Sequence, residues 1–593
     1  MRSLASRYLV ASTLLGTVAC AGAATRGTTD AGLAPAAGGG RELSVEEQAQ
    51  HVLNRLAFGP RPGDVDRLMA TGIDRWIADQ LAPARIPDRA MDATLAAYPT
   101  ISQDAGALLR MYPPPGAVLA QKRRRGDTAA SAADSARLRE LGRANRRMVG
   151  EVMSARVARA VGSERQLQEV MVDFWLNHFS VFTGKGQLRY YLADYEREAI
   201  RPHALGRFRD LLGAVAKSPA MLLYLDNAQS VADSVHPTLA SRRDVVRRRR
   251  VAATMARRRD TMTSDQRARL EAVQARRPRG LNENYARELL ELHTLGVDGG
   301  YTQHDIIEVA RALTGWTIRP PRSGSSGFLF NGAAHDAGEK VVLGTRLRAG
   351  RGVEDGEQVL DILARHPSTA RFIARKLAVR LVSDTPPGAL VERAAATFRR
   401  TDGDIREVVR TIVTSPEFFS RAAYRAKVKS PFEVVVSAAR ALGGRPDTTA
   451  ISATMVARLG QPIYGHQAPD GWPDTGEAWM NTGAILQRIN FGLTIAASRM
   501  PGARLSAWPP YAQLRTAPRE SQVDAVIDAF LGGRASPETR EILTSGENPF
   551  LKKQGEAPAM ADTAAPPFRR APRLAGLDQV IGLSLGSPEF QRR

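Results

Sequence analysis

The sequence predicts a mainly α protein: a multi-helical body with at most one small β-hairpin. Three observations carry that reading. Apolar residues recur at helical spacing along the chain, and helix start signals recur at Ser44, Ser163, Thr302 and Ser430. Strand-like alternation is confined to Phe328-Leu329-Phe330 and Lys340-Val341-Val342-Leu343, which could pair as one hairpin. The 593 residues, 43% hydrophobic and 24% charged, have globular proportions, which sets aside disordered and collagen-like classes. A single cysteine excludes an intrachain disulfide, a cysteine-based zinc cluster and a C-x-x-C-H haem attachment.

Taken in order, residues 1–20 have the layout of a secretory signal: Arg2 and Arg7, an apolar run from Tyr8, then Cys20 after the small residues Gly16, Thr17 and Ala19. The run is too short for a stable membrane span. The lone cysteine stands where a bacterial lipoprotein signal places its lipid attachment site, so Cys20 is the expected anchor. The other reading is cleavage after Ala21-Gly22-Ala23, which would leave a periplasmic or secreted protein. Residues 21–43, rich in Ala, Gly and Thr, read as a flexible tether.

A helical body is expected over 44–545. Ser44 with Glu47 forms a capping box, Gly59-Pro60 ends the first helix, and further helices are expected over 62–68 and 73–81. After Ser163 and Gln166, a helix places Leu167, Val170, Met171, Phe174 and His178 on one face. Thr302 with Asp305, and Ser430-Pro431 with Glu433, open two more. Three Ser-Pro pairs, at 218, 415 and 587, read as corners where an apolar helix ends and another restarts. Residues 546–575 look like a Pro-rich linker before a last helix over 576–593.

The formal charge of +22 is local. Residues 241–280 contribute +10 and residues 121–147 contribute +6. They fall in basic insertions at about 113–147 and 231–280, read as solvated helices or mobile segments. Neither interleaves aromatics with its arginines, so nucleic acid is not an expected partner.

Several strings then line up. Leu53-Asn54-Arg55-Leu56-Ala57-Phe58-Gly59, Asp173-Phe174-Trp175-Leu176-Asn177-His178-Phe179, the run from Asn282 to Gly296, Tyr301 to Asp305 and Ala312 to Trp316 resemble the bacterial DUF1800 family. His335-Asp336, the run from His366 to Leu377, Gly460-Gln461-Pro462 and Gly471-Trp472-Pro473 continue the resemblance in the same order. The resemblance implies an exported bacterial protein, often paired with a second exported protein. It implies no established activity, substrate or catalytic residue.

The residues themselves offer several sites. On a helix from Asn284, the residues Asn284, Arg287, Glu288 and Glu291 share one face. His304 and Glu308 are four apart, a spacing that permits joint ligation of a divalent metal but equally a surface ion pair. His178 continues an apolar stripe and needs a partner from elsewhere, with Asp226, Asn227 or Glu288 as suppliers. His335-Asp336 is expected in a loop, as a base with its orienting group or as metal ligands, although Asp336 could simply form a turn. Trp472, between Gly471 and Pro473, suits sugar stacking, a partner contact or packing of its loop; Asn177 and Trp316 join it as candidate binding residues. No G-x-S-x-G, P-loop, Rossmann fingerprint or H-E-x-x-H appears, and no cofactor is evident beyond a divalent metal.

Two functions fit. In the first, a lipid-anchored envelope protein binds or assembles with an exported partner or a glycan through Trp472 and the loops around His335. In the second, an envelope enzyme, metal-assisted or not, uses a polar centre built from Asn177, His178, Asn284, Arg287, Glu288 and His335, with Asp226 as a further acid. The address has its own test. Wild type should fractionate with membranes, and Cys20→Ser should become soluble or remain uncleaved. Wild-type protein recovered as a soluble species would remove the anchor.

Overall fold

Helix Gln166–His178 lies at the middle of the fold: its large apolar residues Leu167, Val170, Met171, Val172, Phe174, Trp175 and Leu176 drive burial, and its polar stripe is buried with them. Eleven of its thirteen residues are buried, among them the two carboxylates Glu169 and Asp173. Buried charge is tolerated only when paired. Arg201 donates to both Glu169 oxygens, at 2.6 and 3.0 Å, while Asp173 pairs with Arg156 and, at 2.9 Å, with Arg380. Arg201 also reaches Glu196 at 2.8 Å, and Arg159 reaches the same carboxylate at 2.9 Å. Burial would raise the Glu196 carboxyl, but Arg159 and Arg201 bring it down to about 2.

This computed structural model describes residues 40–116, 118, 132–233, 235–240, 280–319, 327–547 and 574–593, with isolated positions between 246 and 267. The signal segment, most of the tether, residues 548–573 of the Pro-rich linker and most of the 231–280 insertion lie outside the described residues. The described residues are mainly α, as predicted, with two small antiparallel sheets. No helix among them is long and apolar enough to cross a membrane.

Around the central helix pack Val45–Leu56, Ile73–Gln80 and the 31-residue helix Ala132–Gly162; Pro367–Leu381 reaches it through Arg380 and Phe372 and packs in turn with Val353–Arg365, Gly388–Arg400 and Ile405–Val413. Residues 132–144 of the long helix face mostly solvent, as expected of a basic segment, and its second half, from Asn145, packs inward. The capping boxes at Ser44/Glu47, Thr302/Asp305 and Ser430/Glu433 form as the sequence predicts. Helices Thr482–Ala496 and Gly576–Gly586 cross closely because Gly492 meets the Gly582 carbonyl with no side chain between them.

Three expectations need correction. Phe328–Phe330 and Lys340–Val342 do not pair with each other: Gly327–Phe330 pairs with Trp316–Arg319, and Lys340–Val342 with Thr345–Leu347. The apolar residues marked two of the strands, but the partner strands, Trp316–Arg319 and Thr345–Leu347, are only four and three residues long. Only Ser218-Pro219 restarts a helix; Ser415 and Ser587 instead accept the amides of Phe418 and Phe590, closing turns with the same hydroxyl chemistry. Residues 231–240 do not belong to a loose insertion, since Ala232, Pro237 and Thr238 bond or bridge to Ala334, Ala337 and Asp336.

Three histidines are buried as neutral rings: His51 among Phe418, Phe419 and Tyr424, and His178 beside His293. Burial depresses all three, His293 to about 3, helped at His178 and His293 by the charge of Lys376 and at His51 by that of Arg55. Below about pH 6.5 the unfolded chain takes up these protons and the folded chain does not, so stability is complete above that pH and falls as acid is added. The urea midpoint should hold above pH 7 and drop below 6.5, each histidine contributing up to about 1.4 kcal/mol per pH unit. His293→Leu should flatten the slope between about pH 6.5 and 5; an unchanged slope would show that the ring is solvated.

Candidate functional site

A cleft open to solvent, with an internal volume of about 50 Å³, lies beside the C-terminal half of the central helix. Its floor is built from charge. Asp173 and Glu433 are bridged by Arg380, which lies 2.9 Å from one and 3.0 Å from the other; Arg156 closes on Asp173, and Arg593 lies 3.1 Å from Glu433. Glu433 is placed by its own helix start, where its carboxylate accepts the Ser430 amide at 2.8 Å. Burial would raise the Glu433 carboxyl, but Arg380 and Arg593 outweigh it and bring it to about 2.

One side of the floor is a short extended pairing. Lys427 and Lys429 exchange backbone bonds with Arg593 and Gln591, and Val428 bridges Arg592. The two lysines line different recesses, Lys427 this cleft and Lys429 a smaller one. Lys427 enters the cleft, where it pairs with Asp384 and donates to the Asp474 carbonyl at 2.7 Å. Burial, with the repulsion of Arg593, lowers its ammonium to about 8 despite Asp384.

The rim is aromatic. Asn177 holds its loop through both halves of its amide: Nδ2 donates to the Trp472 carbonyl at 2.9 Å, and Oδ1 accepts the Trp472 amide at 2.8 Å. Gly471, at φ 77°, permits that approach, because a Cβ there would collide with the Asn177 carbonyl. The half-buried Trp472 ring lies 4.6 Å from His466 and 6.0 Å from Trp479. His466 is oriented by Asp470 at 2.8 Å. Gln461 accepts the Phe432 amide at 2.9 Å, so the Gly-Gln-Pro and Gly-Trp-Pro strings both serve this cleft.

Other candidates lie elsewhere. His178 is buried; its Nε2 donates to the His293 carbonyl at 3.2 Å, while Nδ1 has no partner among the described residues. The suppliers proposed from sequence do not reach it. Asp226, in the left-handed region at φ 61°, pairs with Lys185 at 2.6 Å, and the buried Asn227 donates to the Leu313 and Trp316 carbonyls. Trp316 is fully buried against Phe328 and Gly356, which makes it a core residue.

His335 is also fully buried, so it cannot be offered to a partner from a surface loop. Its Nδ1 donates to the Thr314 carbonyl at 2.8 Å and its Nε2 lies 3.5 Å from Asp355. Asp336 accepts from Arg311 at 2.7 Å, and Lys340 lies 2.8 Å from Asp355. Burial works against the Asp355 charge, yet His335 and Lys340 hold its carboxyl below the usual range. His304 is exposed, whereas Glu308 turns inward to Arg311 and the Val341 amide, so the two do not share a ligand position. Among the described residues no group of three or more His, Cys, Asp or Glu is arranged to hold a metal ion.

Asn284 is exposed, and Arg287 donates to Gln303 at 2.8 Å. Glu288 is half-buried, and among the described residues no hydrogen bond reaches its carboxylate. Burial and the neighbouring Glu291 raise it, with Arg287 opposing. A group that disfavours its own charge should lose little by becoming an amide. Glu288→Gln should therefore change stability at pH 7 by no more than about 0.5 kcal/mol, with any shift toward greater stability. A loss of about 2 kcal/mol or more in urea unfolding would mean that Glu288 anchors the fold.

The polar centre expected from sequence is thus divided. Asn177 and Trp472 meet in the cleft; His178 and His335 occupy separate interiors, and Asn284, Arg287 and Glu288 lie on another helix. Sequence reasoning passed over Asp173, Arg156, Arg380, Lys427, Glu433 and Arg593. The available signal was a polar stripe, Gln166, Glu169, Asp173 and Asn177, at helical spacing on one face of a helix otherwise rich in large apolar residues.

The family model described as a protein of unknown function, DUF1800, matches residues 51–592. No curated protein and no solved structure matches the chain. The match spans the central helix, the charged floor apart from Arg593 and the aromatic rim of the cleft, and the chain belongs to the DUF1800 family.

Proposed function

We propose that this chain is an exported, membrane-tethered envelope protein that binds a neutral glycan in the cleft beside Trp472, as one component of an assembly with an exported partner. The observation that carries the reading is the pairing of an aromatic rim with a floor whose charged side chains are each engaged by an opposite charge within the protein, with an excess of one cation among them. Arg156, Arg380 and Arg593 surround Asp173 and Glu433, three cations against two carboxylates, while Lys427 pairs with Asp384 and Lys376 with Asp474 at 3.1 Å. Such a floor offers many hydrogen-bonding atoms and little net charge, which suits hydroxyl groups better than an ion. The indole face of Trp472, with its backbone fixed from both sides by Asn177, suits the C–H face of a sugar ring. An enzymatic reading would need a nucleophile with its base, or a ligand set, at one point, and the candidate groups stand apart.

Trp472 and Trp479 both line the cleft, so their emission reports on it. Titration with a panel of neutral oligosaccharides should change that emission saturably. Trp472→Ala should weaken binding by about 30-fold, as loss of an aromatic anchor does, with the melting temperature held within a few degrees. If no neutral oligosaccharide produces a saturable change in wild type, the glycan reading fails.

A further inference from the structure

Lys429 lines a second, small recess, of about 30 Å³, between helix Val45–Leu56, helix Arg519–Leu531 and residues 589–592. Its polar lining comprises Gln50, Asn54, Arg425, Lys429, Glu589 and Arg592, with the Ser437 hydroxyl beside them. Lys429 is 95% buried, at 5% exposure, and its Nζ lies 3.9 Å from the centre of the Phe590 ring.

What sets Lys429 apart is the absence of a counter-ion. Lys185, Lys217, Lys340, Lys376 and Lys427 each have a carboxylate within 4 Å, and among the described residues Lys429 has none. Arg425 and Arg592 likewise have no carboxylate within that distance among the described residues. Arg425 donates to the Leu531 carbonyl and lies over Tyr424. The one acid in the wall, Glu589, is already engaged by the Ser536 amide at 2.9 Å and the Thr539 hydroxyl at 3.0 Å. Glu433, the other acid that acts on Lys429, is held by Arg380 and Arg593. Three cations therefore face one recess, one of them deep inside it, with amide groups from Gln50 and Asn54 alongside.

A buried ammonium without an anion either gives up its proton or recruits a negative charge. We propose that this recess binds a small oxyanion, a carboxylate or a tetrahedral sulfate- or phosphate-like group, with Lys429 at its buried end and Arg425 and Arg592 toward the mouth. The site is independent of the glycan cleft. Burial first, and then the repulsion of Arg425, Arg593 and Arg488 against the pull of Glu433, brings the Lys429 ammonium to about 7. Anion binding restores the missing attraction, so above neutral pH the complex should take up a proton that the free protein does not hold.

Calorimetric titration of the full chain with sulfate and with acetate, at constant ionic strength, tests this; neither anion titrates between about pH 6 and 8.5. At least one should bind with a Kd below about 10 mM, and the preferred one identifies the geometry of the physiological group. Runs in buffers of different ionisation enthalpy should give close to one proton taken up per anion at about pH 8.5 and much less at about pH 6. Lys429→Met should weaken binding by about 30-fold, and the exposed Arg592→Gln, which leaves the core untouched, by about 3- to 10-fold. Binding of neither anion, equal binding to wild type and Arg592→Gln, or binding at about pH 8.5 without proton uptake would each overturn the proposal.

Discussion

A helix with water on no side cannot carry a carboxylate unless the surrounding chain supplies a cation, and Gln166–His178 carries two. That requirement organises much of the interior. Glu169 recruits Arg201, which recruits Glu196, which recruits Arg159 from the long helix; Asp173 recruits Arg156 from that same helix and Arg380 from helix Pro367–Leu381. Through Arg380 the chain of pairs extends to Glu433 and Arg593. Segments hundreds of residues apart are thereby fixed to one another by charge as well as by apolar packing. A buried pair broken on one side leaves an uncompensated ion, so each link constrains its neighbours strongly even where the pair itself adds little net stability.

Much of the fold was legible in the sequence because helix starts are local chemistry. Ser44, Thr302 and Ser430 announced their helices through a hydroxyl and an acid three residues on, and all three boxes form. The apolar stripe through Leu167, Val170, Met171, Phe174 and His178 was likewise visible, and its residues are buried. The pairing of strands was not, because Trp316–Arg319 and Thr345–Leu347 are only four and three residues long and nothing local specifies which segment each will meet.

The cleft was legible only in fragments. Asn177 and Trp472 could each be singled out, but 295 positions separate them, and nothing local says that one amide will hold the other's backbone. Arg593 has no distinguishing neighbourhood in the sequence at all. Conversely, His335-Asp336 had the look of a reactive pair, and burial converts it into an internal brace of Thr314, Asp355, Lys340 and Arg311. Proximity in sequence indicated polarity there and gave no information about exposure.

The pairing of Lys427–Lys429 with residues 591–593 is only two extended segments, and it contributes to the walls of two recesses. Lys427 and Arg593 face one recess; Lys429, Phe590 and Arg592 face the other. The two recesses share no lining residue, yet both are walled in part by this one short pairing. Whatever draws the two segments together from one recess alters the position of charge in the other, and the change in affinity is equal in both directions. Communication between the two recesses thus requires no moving domain, only a few bonds that both sides share.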